Sequence, residues 1–395
     1  MSNNSLSVKE AAERYFQDTV AMRRDLHKHP EAGDQIIRTS NKVAACLDSW
    51  GIPYHRIREQ GILGIIDSGK PGKTVALRAD MDALPIQEKS DCEYCSTVEG
   101  TAHLCGHDCH TASLLTAARI LSERKDAFCG KVHLIFQPCE ESPIGINARD
   151  MVLGGAMENV DAVFGVHMYN NIDVGQLSVQ AGVRMAASMR GKIIIRGVGS
   201  HAGSPYQGVD AIVAASAVIM NLQSIASREL NALDPAAITV GTVHGGTSQF
   251  AVCDQVELGL SIKFFNAALA DKIRDAITRV ATQTAEAYRA KCQVELEGFV
   301  SPVINDETLS RIATGSAEKL FCKENTIICP PWCASEDFGD YEACAPGVFA
   351  LVGGRNIARG IDKQAHNPSF DVDERGLLTA SAIYTQFALD FLQSE

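Results

Sequence analysis

The sequence predicts an α/β protein: a mixed-sheet domain assembled from two separated parts of the chain, with a smaller α+β domain inserted between them. Three observations predict it. At 395 residues the chain exceeds the roughly 250–300 at which a single core stops growing. Short apolar strands alternate with amphipathic helices on both sides of a central stretch. Within that stretch, 182–298, the order changes to a self-contained strand–helix–strand–strand–helix–strand. Taking the elements in turn, Val8, Ala12, Tyr15, Val20 and Leu26 recur at near-helical spacing through the first 30 residues, until Pro30 and Gly33 stop the helix. A second helix over 40–50 ends at Gly51-Ile52-Pro53. Strands over 61–66 and 74–78, a helix over 110–121, and strands over 132–137 and 162–167 follow.

The insert opens with a strand over 192–196. Next comes a long helix over 210–230, carrying Ile212, Ala215, Val218, Ile219 and Leu222 on one side. Strands over 238–243 and 256–264, a helix over 269–289 and a strand over 293–297 complete it, in the order of a ferredoxin-like unit. Strand–helix alternation then resumes, with a strand over 347–352 and a closing helix over 374–391. The predicted domains are 1–181 with 299–395, and 182–298.

Composition bounds the function. With 46% hydrophobic and 21% charged residues the chain has ordinary globular composition, which excludes wholesale disorder. A net charge of −12 without a basic stripe disfavours nucleic acid. No run nears the ~18 apolar residues of a membrane span, and the N-terminal stretch lacks the apolar core of a secretory signal. Thirteen scattered cysteines fit a reducing cytoplasm better than a disulfide scaffold. The expectation is a soluble cytoplasmic protein with neither a nucleic-acid nor a membrane partner.

The chemistry concentrates in four places. In His103-Leu104-Cys105-Gly106-His107-Asp108-Cys109-His110, a thiol and an imidazole two residues apart can both ligate a borderline-soft cation across the Gly106 bend. Asp108 and His110 are candidates to orient those ligands. The ordinary reading is a helix N-terminus with a buried cysteine. Glu140 and Glu141 follow an apolar strand, where open α/β sheets gather ligands. Because adjacent side chains diverge, one can hold metal while the other acts on water as a general base. Alone, they are a solvated pair. His167 is placed at the end of a third strand, and His366 follows a presumed Gly353-Gly354 turn. A lone histidine is more often structural, but four such groups near strand ends point to a metal site.

Nine ordered motifs carry a family resemblance: RRDLHKHPE (23–31), ALRADMDALPIQE (76–88), CGHDCHTASLL (105–115), FQPCEE (136–141), FGVH (164–167), HAGSP (201–205), VGTVHGGT (240–247), SEDFG (335–339) and HNPSFDVDE (366–374). The chain resembles the metal-dependent amidohydrolases that include hippurate hydrolases, bacterial N-acyl-amino-acid aminoacylases and plant auxin-conjugate hydrolases, with dinuclear-zinc carboxypeptidases as distant relatives. The resemblance implies metal ligands at Cys105, His107, Glu141, His167 and His366. They would hold two divalent ions per subunit, of manganese, zinc, cobalt or nickel. It implies Glu140 as general base, His201 as the group stabilising the oxyanion, and Asp80 and Asp82 as supports of the ligands. The insert would be a lid and dimerisation domain of a homodimer. The reaction implied is hydrolysis of an N-acyl amino acid or related small-molecule N-acyl amide. Dipeptidase or carboxypeptidase activity, or a non-catalytic binding role on the same fold, are the alternatives.

Three positions depart from the family pattern. Phe250 stands where relatives have asparagine, Lys263 where they have an arginine, and Tyr206 where a second histidine is frequent. Asparagine and arginine there grip the substrate's free carboxylate. A phenylalanine side chain forms no hydrogen bond, and an ammonium cannot make the guanidinium's two-pronged carboxylate bond. These three substrate-facing candidates therefore predict a changed leaving amine, larger, more apolar or lacking the carboxylate. Two rivals fail on context. Gly197-Val198-Gly199-Ser200-His201-Ala202 mimics a dinucleotide fingerprint, but Pro205 interrupts the helix start and 216–221 holds no acidic residue. A Cys105 nucleophile would leave the glutamate pair and His167 without a role.

Overall fold

A computed structural model describes residues 6–33, 35–142 and 145–394. The chain divides into two compact units, one of Met1–Gly182, Ile304–Pro330 and Asp337–Glu395, the other of Val183–Val303 and Pro331–Glu336.

The first unit is built on a seven-stranded mixed sheet. In spatial order its strands are Tyr54–Ile57, Gly61–Asp67, Lys131–Gln137, Thr74–Asp80, Ala162–Asp173, Gly347–Arg355 and Leu177–Ser178. The four from Lys131–Gln137 to Gly347–Arg355 run parallel, and the outer pairings are antiparallel. Parallel strands are covered on both faces and read as unbroken apolar runs. Every residue of Thr74–Asp80 is accordingly buried. Helices Val8–Lys28, His107–Ser122 and Arg375–Gln393 pack together over this sheet. The first is opened by a capping box in which the Ser7 hydroxyl accepts from the Glu10 N–H and the Glu10 carboxylate from that of Ser7. Its sequence signal covered the first 30 residues, of which the first five lie outside the described ones.

The second unit contains a four-stranded antiparallel sheet in the order Ala236–Gly245, Gln255–Phe264, Ala187–Arg196, Lys291–Val300. Helices Ala211–Ser224 and Ala270–Ala287 share a core with one face of that sheet. Period-two alternation shows in Gln255–Phe264: Val256, Leu258, Leu260, Ile262 and Phe264 are buried, so Glu257, Ser261 and Lys263 point to the opposite face. Among the described residues, one helical stretch, Ala211–Glu229, is by length and composition apolar enough to cross a membrane. This differs from the expectation of no such run. Its Ala211, Ala214, Ala215, Val218, Leu222 and Ile225 are buried in the unit's own core.

Several details differ from the sequence expectation. The Ala162–Asp173 strand continues past His167, because its pairing with Gly347–Arg355 runs on to Asp173. Gly353 and Gly354 lie inside a strand and not in a turn. A Cβ on Gly353 would collide with the Asp173 carbonyl, and one on Gly354 with the Asn170 side chain. Residues Pro331–Glu336 belong with the second unit. The edge strand Tyr54–Ile57 and the helix Glu307–Leu320 carried no recognised signal. Against the expectation of free thiols, Cys92 and Cys95 form a disulfide with Cα atoms 5.3 Å apart, an ordinary span.

Candidate metal centre

Strand register delivers the polar residues to one place. Asp80 pairs with Gln137 across adjacent parallel strands, and Arg78 with Gly165 across the next pair. The Asp80–Asp82 segment and Glu140 and Glu141 thus leave the sheet at one level, outside the carboxyl ends of their strands, and His167 lies at that level within its own longer strand. The His107–Ser122 helix starts at that level. Gly106 reverses the chain with φ of 97°, a left-handed conformation glycine adopts without strain, and a Cβ there would lie 3.1 Å from Met168 Cβ.

The five expected ligands converge within the first unit. Donor atoms of Cys105, His107 and His167 all lie within 4.8 Å of one another, and so do those of Cys105, Glu141 and His366. Cys105 Sγ is 3.5 Å from His167 Nε2, and Glu141 Oε1 is 3.0 Å from His366 Nε2 and 4.0 Å from His107 Nε2. Glu140 joins His107 and Glu141 in a third set. One buried atom in the middle, His107 Nε2, has no hydrogen-bond partner. Buried polar atoms are rarely left unpaired, and thiol, imidazole and carboxylate donors at this spacing suit cations with bonds of about 2.0–2.3 Å.

Surrounding residues aim those donors. Asp82 accepts from His107 Nδ1 at 3.0 Å, leaving Nε2 to face the centre. Its other oxygen accepts from the backbone N–H groups of Glu140 and Glu141 at 3.0 and 2.9 Å, tying that pair to the His107–Ser122 helix. His167 Nδ1 donates to the Met168 carbonyl. Asp80 accepts from His110 Nδ1 and from Arg78 at 2.7 and 2.6 Å, and His110 Nε2 accepts from the Met168 N–H. His110 therefore braces Asp80 and the strand that carries His167. Asp108 is a correction. Its carboxylate accepts from Arg23 Nε and His27 Nδ1 at 2.7 and 2.8 Å, and not from the ligand histidines. Residues 107 and 110 share a helix face, whereas 108 is turned about 100° from 107.

Electrostatics call for positive charge. Burial disfavours a charged His107, yet Asp80, Asp82 and Glu141 outweigh it and lift its pKa to about 10. Against burial, His107, Arg78 and His110 hold Asp80 well below the usual carboxylate range. Burial, reinforced by Glu141 and Glu140, pushes the Cys105 thiol well up. Burial, with His110 beside it, drives His167 well down, keeping its imidazole neutral. A proton on His107 occupies the role a cation would take, and metal uptake displaces such protons.

The other candidates lie in the second unit. His201 is exposed on the two-residue strand Ser200–His201, which pairs with Ala251–Val252, and its Nδ1 accepts from the Gly203 N–H. The Phe250 carbonyl accepts from the Ala202 N–H, so His201 and Phe250 are neighbours, and the Phe250 side chain is 70% exposed. Tyr206, also exposed, occupies the turn Pro205–Gln207. Lys263 Nζ donates to Ser335 Oγ at 2.6 Å and to Ser188 Oγ at 3.1 Å. Sequence reasoning gave no role to Ser335 or Asp337, although both sit in SEDFG. Asp337 receives Arg78, Gln137 and the Ala148 N–H, bracing the strand that ends at Asp80.

Comparison with known proteins places this geometry. The sequence profile of peptidase family M20/M25/M40 matches residues 76–390. The chain belongs to that family. It is 36% identical to the IAA-amino acid hydrolase ILR1-like 4 of Arabidopsis thaliana, over 96% of this chain and 86% of the relative. It is 34% identical to the N-acetyl-L-cysteine deacetylase of Bacillus subtilis, over 99% and 94%. A solved Bacillus subtilis structure, described as a dinuclear metal binding peptidase from the M20 family, superposes with a TM-score of 0.84 at 31% identity, covering 97% of this chain and 100% of that one. Membership in peptidase family M20/M25/M40 makes the protein a hydrolase of amide bonds with a small-molecule substrate, and its first unit carries groups suited to divalent metal.

Proposed function

We propose that the protein hydrolyses the amide bond of N-acyl amino acids or related N-acyl conjugates, using two divalent ions held by Cys105, His107, Glu141, His167 and His366. The observation carrying this reading is the pair of donor sets that share Cys105, with Glu140 adjoining both Glu141 and His107. The named relatives, an IAA-amino acid hydrolase and an N-acetyl-L-cysteine deacetylase, support the substrate class. Bound metal supplies acidity to water and polarises the amide carbonyl. Every remaining role falls to the protein. Glu140, its backbone N–H held by Asp82, takes the proton of the attacking water and passes it to the departing amine. His201 donates to the developing oxyanion, the role its match to the family pattern gives it. Asp80, Asp82 and His110 keep the ligand imidazoles oriented.

In this reading 1–181 and 299–395 form the catalytic domain, and 182–298 the lid and dimerisation domain of a cytoplasmic homodimer. Phe250, Lys263 and Tyr206 set the amine side of the substrate. The exposed Phe250 ring supports an apolar leaving group. The solved Bacillus subtilis relative is a peptidase, which supports dipeptidase or carboxypeptidase activity as the second reading. The test is a panel of hippurate-type N-acyl amino acids, N-acyl amines and dipeptides, run on metal-reconstituted protein with Glu140→Ala as blank. Turnover of the first class supports the proposal. Preference for dipeptides, or no turnover of any class despite bound metal, overturns it.

A further inference from the structure

The Cys92–Cys95 disulfide lies in the segment Glu88–Ser96, whose contacts lead to the loop bearing His366. Glu88 closes the segment on itself, accepting from the Ser96 N–H at 2.7 Å. Two bonds then join it to the ligand loop. The Lys89 N–H donates to the Pro368 carbonyl at 2.7 Å, two residues from His366, and the Tyr94 hydroxyl donates to Asp371 at 2.8 Å. Tyr94 sits between the two cysteines. Its ring lies under the Arg23 and Arg24 guanidinium groups, 4.6 and 4.8 Å away, and meets the His27 ring edge-on. Arg23 in turn bonds both Asp371 and Asp108, beside the ligand His107. Both cysteines are half-buried, within reach of a small thiol.

We propose that Cys92 and Cys95 form a reversible thiol–disulfide site whose oxidised form, by fixing Tyr94 on Asp371, tightens the His366 end of the metal centre. The exchange partner is a small disulfide such as oxidised glutathione. One thiolate of the pair attacks a sulfur of that disulfide, forming a mixed disulfide and releasing the first thiol. The second thiolate displaces the remaining thiol and closes the Cys92–Cys95 bond. The protein pair loses two electrons, the small disulfide gains them, and the two thiol protons end on the two released thiols. A pair of half-buried cysteines three residues apart is suited to such exchange. The effect on metal rests on the metal-centre reading, whereas the disulfide chemistry does not.

The test equilibrates the metal-free protein in glutathione buffers of graded oxidation. Alkylation then reads the Cys92–Cys95 peptide by mass spectrometry, and a chromophoric chelator competes for added zinc. Expected is a peptide that passes from doubly alkylated to unalkylated as oxidised glutathione rises, with zinc held about tenfold more tightly in the oxidised protein. Cys92→Ser and Cys95→Ser should each stay at the weaker affinity in every buffer, which removes any contribution from other cysteines. Tyr94→Phe should keep the alkylation pattern and lose the affinity difference. Two results overturn the proposal: alkylation of both thiols across the whole series, or disulfide formation with unchanged zinc affinity. If zinc binds nowhere in the centre while the peptide still titrates, the metal reading fails and the exchange site stands.

Discussion

Two halves of the candidate metal centre are held in different ways. Cys105, His107 and His167 come from a strand and a helix N-terminus, are buried, and have their neighbours fixed by Asp82, Asp80 and the Met168 backbone. His366 comes from a loop, sits in a left-handed conformation at φ 69°, and has a side chain 53% exposed. Its backbone N–H reaches the Leu104 carbonyl, and the rest of its loop is held through Pro368 and Asp371. The first half is organised by secondary structure. The second depends on long-range polar contacts, and so it is the part open to adjustment.

The largest expected effect sets catalysis apart from metal binding. Glu140→Ala should lower turnover by about 10³-fold or more while elemental analysis finds the wild-type metal content. Loss of metal in that variant would make Glu140 a ligand and dissolve the division of labour between the adjacent glutamates. Next comes the rigid half. Asp82→Asn should weaken metal affinity by about 10–100-fold in chelator competition, because it disturbs His107 and the Glu140–Glu141 backbone together.

Protonation sharpens the same contrast. In the metal-free protein the His107 pKa is raised to about 10, from an ordinary value near 6.5. The stabilisation from its charged form is therefore complete below about pH 6.5 and is lost as pH rises through about 10. Metal must displace that proton and the one on Cys105, so zinc affinity should rise with pH across this window, with proton release measurable in weakly buffered solution. A pH-independent affinity would contradict the assignment of His107.

The adjacent arginines carry the contrast into stability, with the smallest effect of all at Arg24. Arg23 is buried and bonds Asp108 and Asp371, so Arg23→Met should cost about 3–5 kcal/mol in denaturant unfolding by stranding buried charge. Arg24 pairs with Glu374 at the partly exposed surface, and Arg24→Ala should cost under about 1 kcal/mol. Equal costs would mean that burial does not separate the two.

Much of this was legible in the sequence, and the failures share a cause. Apolar runs ending in Glu140-Glu141, and the Cys105-Gly106-His107 bend before a helix, are local patterns, and they mark places where strand register gathers polar groups. The direction of a side chain within an element is not local. Asp108 looked like a partner of the ligands because it is adjacent in sequence, yet helix phase turns it to Arg23 and His27. Gly353 and Gly354 looked like a turn because the close approach of Asp173 and Asn170 is invisible in one dimension. The Cys92–Cys95 disulfide was hidden among scattered cysteines for the same reason. Phe250 and Lys263 could be recognised as departures, but what they select follows from the substrate, which the sequence does not contain.

The most direct measurement is the metal stoichiometry of reconstituted protein beside its ligand variants. The account predicts two equivalents per chain in the wild type, about one in His366→Ala, and less than one in Cys105→Ser, since Cys105 belongs to both donor sets. Two equivalents retained in Cys105→Ser, or fewer than one bound by the wild type, would contradict it.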